Sequence, residues 1–450
     1  MFKRKIYEKI KAWKNESNGK TALLIEGARR VGKSTIVEEF AQTEYDNYIL
    51  IDFSVASKQI RDLFDDMSDL NYFFLQLQLQ YRVDLIERKS VIIFDEVQLC
   101  PYARQAIKTL VKDGRYDYIE TGSLISIKKN VKDILIPSEE RKLQMHPMDF
   151  EEFLWALDDH STMNLLKNVF DSKKKFGDQL NRKLMRDFRL YMLIGGMPQA
   201  VNEYIATNNF RKVDMVKRDI LNLYEDDFRK IDSTGRLTML FEAIPSQLNK
   251  NTKGFQTKKV LNSYKTTDNS ILSMISELKD SKVVTVAYYA NDSNVGLSGY
   301  KDLNKFKLYL ADTGLFVTLQ FKDKDFTDNI IYEKLLNDKL SANLGYLYEN
   351  VVAQILTATG NELFYYTFSN TKQKKNYEID FILSKKNKIC PIEVKSSNYR
   401  LHASIDEFYH KFSHRILNRY IIHSKDISKD KDILCLPFYL TQFIAQKEDI

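Results

Sequence analysis

Apolar residues along this 450-residue chain follow two rhythms. Residues 21–25, 48–53, 91–94 and 116–120 are short runs, mostly apolar. They are too brief for helices and end in glycine, carboxylates or other polar residues, which predicts buried strands. Between them, Ile36, Val37 and Phe40 recur at helical spacing. So do residues 70–87, whose Phe74, Leu75, Leu79 and Leu85 offer an apolar face, and residues 102–111. Residues 141–145 read as the last strand of this series, and Asp149-Phe150-Glu151-Glu152 opens a helix with a capping box. Strands alternating with helices predict an α/β fold, with a parallel sheet, helices on both faces and a ligand at the strands' carboxyl edge.

Further along, the rhythm changes. Helices are expected over 237–248, 256–264 and 270–279, the last opened by Thr267 or Asp268, followed by strands at 283–289 and 306–310 around a polar loop. Three helices and a hairpin make a winged-helix pattern. That pattern serves DNA reading or simple packing, and the third helix carries little positive charge for the former. A helix over 346–356 and strands at 363–366, 377–383 and 389–395 follow, then strands at 420–422 and 433–436.

The chemistry sits at strand ends. Gly27-Ala28-Arg29-Arg30-Val31-Gly32-Lys33-Ser34-Thr35 is a complete phosphate-binding loop between a predicted strand and a predicted helix. Its backbone N–H groups would wrap phosphates at a helix N-terminus, Lys33 would reach the β- and γ-phosphates, and the Ser34 hydroxyl would ligate Mg²⁺. Some sixty residues on, the run at 91–94 ends in Asp95 and Glu96. Asp95 would hold Mg²⁺ through water, and Glu96 would orient the attacking water as general base. Thr121 or Ser123, after the next strand, would supply a polar sensor of the γ-phosphate. Arg141 is a candidate for an arginine given to transition-state charge, within the chain or to a neighbour, or else a surface residue.

A second constellation lies near the C-terminus. Glu393 and Lys395, two apart on a strand, project from one face. Asp380 falls on the neighbouring strand, and Glu349 can reach in from the helix. Carboxylates and a lysine converging at a sheet edge suit metal-dependent phosphodiester cleavage, in which the acids hold Mg²⁺ and the lysine assists the water.

The series GARRVGKST, IIFDEVQ, TGS, HPMDFEEFL and Ile194-Gly195-Gly196-Met197-Pro198-Gln199-Ala200-Val201 resembles a widespread family of prokaryotic AAA-type ATPases. The likeness covers nearly the whole chain. It departs at Ser138-Glu139-Glu140-Arg141, where many members carry a glycine before the arginine. It implies ATP as the nucleotide, an ATPase core over 1–158, a helical lid over 159–232, a winged-helix domain over 233–325 and a nuclease-like domain over 326–450. Asp380, Glu393-Val394-Lys395 and the upstream Glu349 resemble the restriction-endonuclease-like PD-(D/E)XK superfamily. By that likeness Asp380 and Glu393 are metal ligands, Glu349 is an auxiliary acid and Lys395 assists the nucleophile, in a domain that either cleaves or only binds.

Composition narrows the setting. Hydrophobic residues at 44% and charged ones at 29% suit a globular protein. Three distant cysteines form no disulfide framework, so a reducing cytoplasm is expected. No apolar run approaches a membrane span and no signal core follows the N-terminus. A net charge of +7 is compatible with nucleic acid as partner, DNA ahead of RNA, without demanding it. A homo-oligomer is compatible with the family likeness.

Overall fold

The computed structural model describes residues 1–122, 138–249, 254–261, 267–323, 329–339, 345–370, 375–396 and 400–446. They divide into two compact units, Met1–His146 with Asp280–Lys282, and Pro147–Lys279 with Val283–Ile450.

The first unit is built on β1 (Ala22–Gly27), β2 (Asn47–Asp52), β3 (Ser90–Asp95), β4 (Asp117–Gly122) and β5 (Glu140–Met145). The order is β2-β3-β4-β1-β5 with every pair parallel. β4 thus lies between the strands that carry the two phosphate motifs. Strands β1, β3 and β4 are buried along their whole length, which is why they read as short, largely apolar runs rather than as alternation. On one face Phe53, Phe64, Phe73, Phe74 and Phe94 meet mostly edge to face, at centroid distances of 5.3–6.0 Å. The helix expected over 70–87 stops earlier, at Leu70–Tyr81, because Arg82 takes a left-handed C-cap at φ 54°. Its buried face is Phe73, Phe74 and Leu77, while Leu75 and Leu79 are exposed.

The second unit carries β6 (Val284–Ala290), β7 (Lys301–Leu310), β8 (Leu363–Asn370), β9 (Lys375–Lys385), β10 (Lys388–Val394), β11 (Arg419–His423), β12 (Ser428–Asp430) and β13 (Ile433–Pro437). They form one mixed sheet in the order β12-β13-β11-β10-β9-β8-β6-β7. The hairpin expected as the wing of a separate segment, β6–β7, is therefore not free-standing. Ala287–Tyr289 of β6 pair in parallel with Leu363–Tyr365 of β8, so the sheet runs unbroken across the 325/326 boundary drawn from the sequence. β6 is buried on both faces and needs a partner on each edge, and the second partner lies some seventy residues away. Of the helix expected over 256–264, Thr257–Val260 is helical, and residues 262–266 lie outside the described set.

The Gly195-Gly196-Met197-Pro198 turn proves to be a packing device. A Cβ on Gly196 would fall 2.1 Å from the Met148 carbonyl oxygen, and one on Gly314 would fall 2.4 Å from that of Ile194. Asp312 accepts from the N–H groups of Gly196 (2.5 Å) and Leu315 (2.8 Å). Buried Lys217 donates to the carbonyls of Leu193 and Gly314 and to the Tyr332 hydroxyl. Burial lowers the Lys217 ammonium to about 8, against the pull of Asp214 and Asp312.

Candidate nucleotide site and acidic cleft

The phosphate loop closes β1 and opens the helix Lys33–Glu44, so its N–H groups sit at a helix N-terminus. Gly27 has no room for a side chain, because a Cβ would lie 2.5 Å from the Met145 carbonyl oxygen. Gly32 turns the chain at φ 97°. Ala28 and Val31 are buried, Arg29 and Ser34 half-buried, and Arg30 and Thr35 exposed, with Arg30 at φ 69°. Lys33 is buried and donates to the carbonyls of Gly27 (3.1 Å) and Ala28 (3.0 Å). Burial lowers its pKa, partly offset by Glu96 and Asp95.

The acidic motif arrives beside it from β3. The Ser34 hydroxyl donates to Asp95 Oδ1 at 2.9 Å, so the two expected Mg²⁺ ligands face each other within hydrogen-bond reach. That spacing of hydroxyl and carboxylate fits a hard, oxygen-loving cation. The Thr121 hydroxyl, from the inserted β4, also donates to Asp95 Oδ1 and accepts from the Glu96 N–H at 3.4 Å. Glu96 holds a left-handed conformation at φ 53°, uncommon for a residue with a side chain, and its carboxylate accepts from Gln98. Gln98 was not anticipated, since an amide two residues past an acidic pair carries no pattern of its own. Ser123 lies outside the described residues.

Arg141 is not brought to this site. It lies opposite Leu23, whereas Met145 lies opposite Gly27, which puts the arginine about 13 Å back along the strand at ordinary strand spacing. It is exposed and pairs with Glu16 at 2.7 Å. In a parallel sheet the start of a strand faces away from the carboxyl edge, so Arg141 cannot serve its own chain's phosphates.

In the second unit, Glu349, Asp380, Glu393 and Lys395 line one cleft of about 510 Å³. Glu349 comes from the helix Gly345–Ala358, Asp380 from β9, Glu393 from the end of β10, and Lys395 directly follows that strand. Lys395 pairs with Glu393 Oε1 at 2.7 Å, and Asp380 accepts from the Val394 N–H at 2.7 Å. Two further groups join them. Lys307 of β7 bridges Glu349 (3.0 Å) and Glu378 (2.5 Å), and the Tyr309 hydroxyl donates to the same Glu349 oxygen. The signal for Lys307 was present but faint. It alternates with Phe306, Leu308 and Leu310 on a strand, so with Tyr309 it belongs to the opposite face.

The electrostatics show crowding of negative charge. Asp380 is pushed well above the ordinary carboxylate range, first by burial and then by Glu349. Glu393 is raised by burial against the pull of Lys395. Burial opposes the charge on Lys307, yet Glu349, Glu378 and Asp380 hold its pKa well above the usual lysine value. Among the described residues, no group of three or more His, Cys, Asp or Glu side chains is set to hold a metal. Still, Glu393 Oε2 is buried without a hydrogen-bond partner among the described residues, an acceptor that a cation would satisfy.

Comparison with known proteins agrees with the first unit. Residues 19–154 match the AAA domain model. Residues 185–325 and 344–440 match two domains of unknown function, DUF8612 and DUF4143. No curated protein matches. Among solved structures, a Walker-type ATPase of Pyrococcus abyssi is 15% identical, covering 71% of this chain and 96% of its own, at a TM-score of 0.42. The Orc1 protein of Aeropyrum pernix, solved in complex with DNA, is 11% identical over 75% of this chain and 93% of its own, at 0.29. Cdc6p of Pyrobaculum aerophilum is 12% identical over 74% and 93%, at 0.23. What the comparison shows rests instead on the AAA-domain match, with which the strand order and the phosphate loop agree: residues 19–154 match an AAA domain.

Proposed function

We propose that this protein binds and hydrolyses Mg-ATP in its first unit and acts on nucleic acid through the acidic cleft of its second. The observation that carries the reading is the meeting of Lys33, Ser34, Asp95, Glu96 and Thr121 at one sheet edge. Lys33 would neutralise the β- and γ-phosphates, the loop N–H groups would fix them, and Glu96 would take a proton from the attacking water. Ser34 and Asp95 would hold Mg²⁺, which supplies charge neutralisation of the triphosphate. Lys33→Ala should lower ATP turnover by about a hundredfold or more, and Glu96→Gln should keep nucleotide binding while losing turnover. Turnover unchanged in Lys33→Ala would sink the proposal.

In the second unit, Asp380 and Glu393 would be ligands, Glu349 an auxiliary acid and Lys395 the group that assists the nucleophile. One observation favours a second reading, in which ATP drives a switch or assembly step and the cleft only binds a partner. Lys307 bridges Glu349 and Glu378, Lys395 pairs with Glu393, and among the described residues no three acids are set to hold a metal. Metal-dependent cutting of DNA or RNA that disappears in Glu393→Ala and Lys395→Ala decides for the first. No cutting across DNA and RNA substrates with Mg²⁺, Mn²⁺ and ATP decides for the second.

A further inference from the structure

The acidic cleft is lined by four carboxylates, Glu349, Glu378, Asp380 and Glu393, and by the Lys395 ammonium, while a second ammonium, that of buried Lys307, pairs with two of those acids. Each ammonium is engaged differently. Lys395 is half-buried and pairs with its own strand neighbour. Lys307 is buried at 6% exposure and reaches from β7 to two acids on different elements, the helix Gly345–Ala358 and β9. A buried ammonium pays heavily in lost hydration unless opposite charge surrounds it, so these contacts hold it tightly. The Tyr309 hydroxyl, two residues on and from the same strand face, completes the grip on Glu349. Meanwhile Glu393 Oε2 is buried and has no hydrogen-bond partner among the described residues.

We propose that Lys307 is a built-in cation that holds Glu349 and Glu378 in the cleft and is displaced when a divalent ion binds at Asp380 and Glu393. The inference rests on reading the cleft as a cation site, and it adds a residue that controls access to that site. The ammonium and the ion would compete for the same carboxylate charge. With Lys307 in place, Glu349 is committed to it. When Glu349 turns towards an ion held by Asp380 and Glu393, Lys307 must let go.

The experiment titrates the nucleotide-free full chain with Mn²⁺ alone, by calorimetry and by loss of the free-ion paramagnetic signal. Wild type, Lys307→Met, Lys307→Arg and Glu393→Gln are compared. Lys307→Met should bind Mn²⁺ at least about tenfold more tightly than wild type, since a like charge paired with the neighbouring Glu349 and Glu378 is removed. Lys307→Arg should stay near wild type, and Glu393→Gln should lose the site. A second measurement needs no variant. Reductive methylation read by mass spectrometry should find Lys307 protected without metal and modified in saturating Mn²⁺. Equal or weaker Mn²⁺ binding by folded Lys307→Met, or a Lys307 that stays protected while Mn²⁺ is bound, overturns the inference and leaves the metal site standing. Mn²⁺ binding that is absent, or indifferent to Glu393→Gln, overturns both.

Discussion

Single side chains decide how the first unit's site is held. Asp95 Oδ1 accepts from both Ser34 and Thr121, and the same Thr121 hydroxyl accepts from the Glu96 N–H. One threonine thus couples Asp95, the acid proposed to hold the metal, to the backbone of Glu96, the proposed general base. Thr121→Ala should leave nucleotide affinity within a few-fold yet lower turnover by about tenfold to a hundredfold, with Thr121→Ser restoring much of it. Steady-state turnover set beside equilibrium binding checks this, and a loss confined to affinity would remove Thr121 from the catalytic geometry. The pairing of a phosphate loop with a later Asp-Glu was legible because both motifs are local in sequence. Lys307 was not, since it acts only through residues that folding brings near, and Gln98, though only two residues past Glu96, carries no pattern of its own.

Elements show a different kind of constraint. The turn between the helices Asp178–Ile194 and Pro198–Thr207 looks like an ordinary glycine turn, yet its two glycines do different work. Gly195 sits at φ 86°, while Gly196 admits the Met148 backbone where a Cβ would collide. Gly196→Ala should therefore destabilise the second unit by about 2 kcal/mol or more, because a backbone clash cannot be relieved by a rotamer change. Gly114 closes the helix Pro101–Asp113 at φ 80° with nothing within 4 Å of a would-be Cβ, so Gly114→Ala should cost the first unit only about 1 kcal/mol. Chemical denaturation of both variants, followed by probes in each unit, measures the contrast. Equal costs would mean that local backbone movement relieves the crowding at Gly196. The same scale explains the helix Leu70–Tyr81. Its period was read correctly, but which apolar stripe faces inward depended on the sheet beneath it, so Leu75 and Leu79 turned out exposed.

At the scale of the molecule, each unit has its own sheet, and the second stores unfavourable charge. Asp380 binds its proton more tightly folded than unfolded, so its contribution favours folding below the ordinary carboxylate range and is lost as pH rises through its raised value. Asp380→Asn should therefore stabilise the second unit at neutral and mildly alkaline pH and bring no gain near pH 4. The asparagine oxygen can still accept from the Val394 N–H, so the comparison isolates the charge. Thermal unfolding of both proteins across pH checks it. A gain independent of pH would show that the carboxylate is not strained by burial.

Motifs that act through neighbours in sequence were readable directly: the phosphate loop, the acidic pair ending β3, the Asp149–Glu152 capping box and the rough limits of the strands. Their physics is local, set by backbone conformation, strand alternation and helix ends. Folding alone decided that β6 joins β8 in one continuous sheet, that Arg141 lies at the far end of its strand, and that Lys307 bridges two acids of the cleft. Each of these depends on pairings between residues tens of positions apart. Such pairings are chosen by the need to bury apolar faces and satisfy backbone hydrogen bonds together, a requirement that no short stretch of chain records.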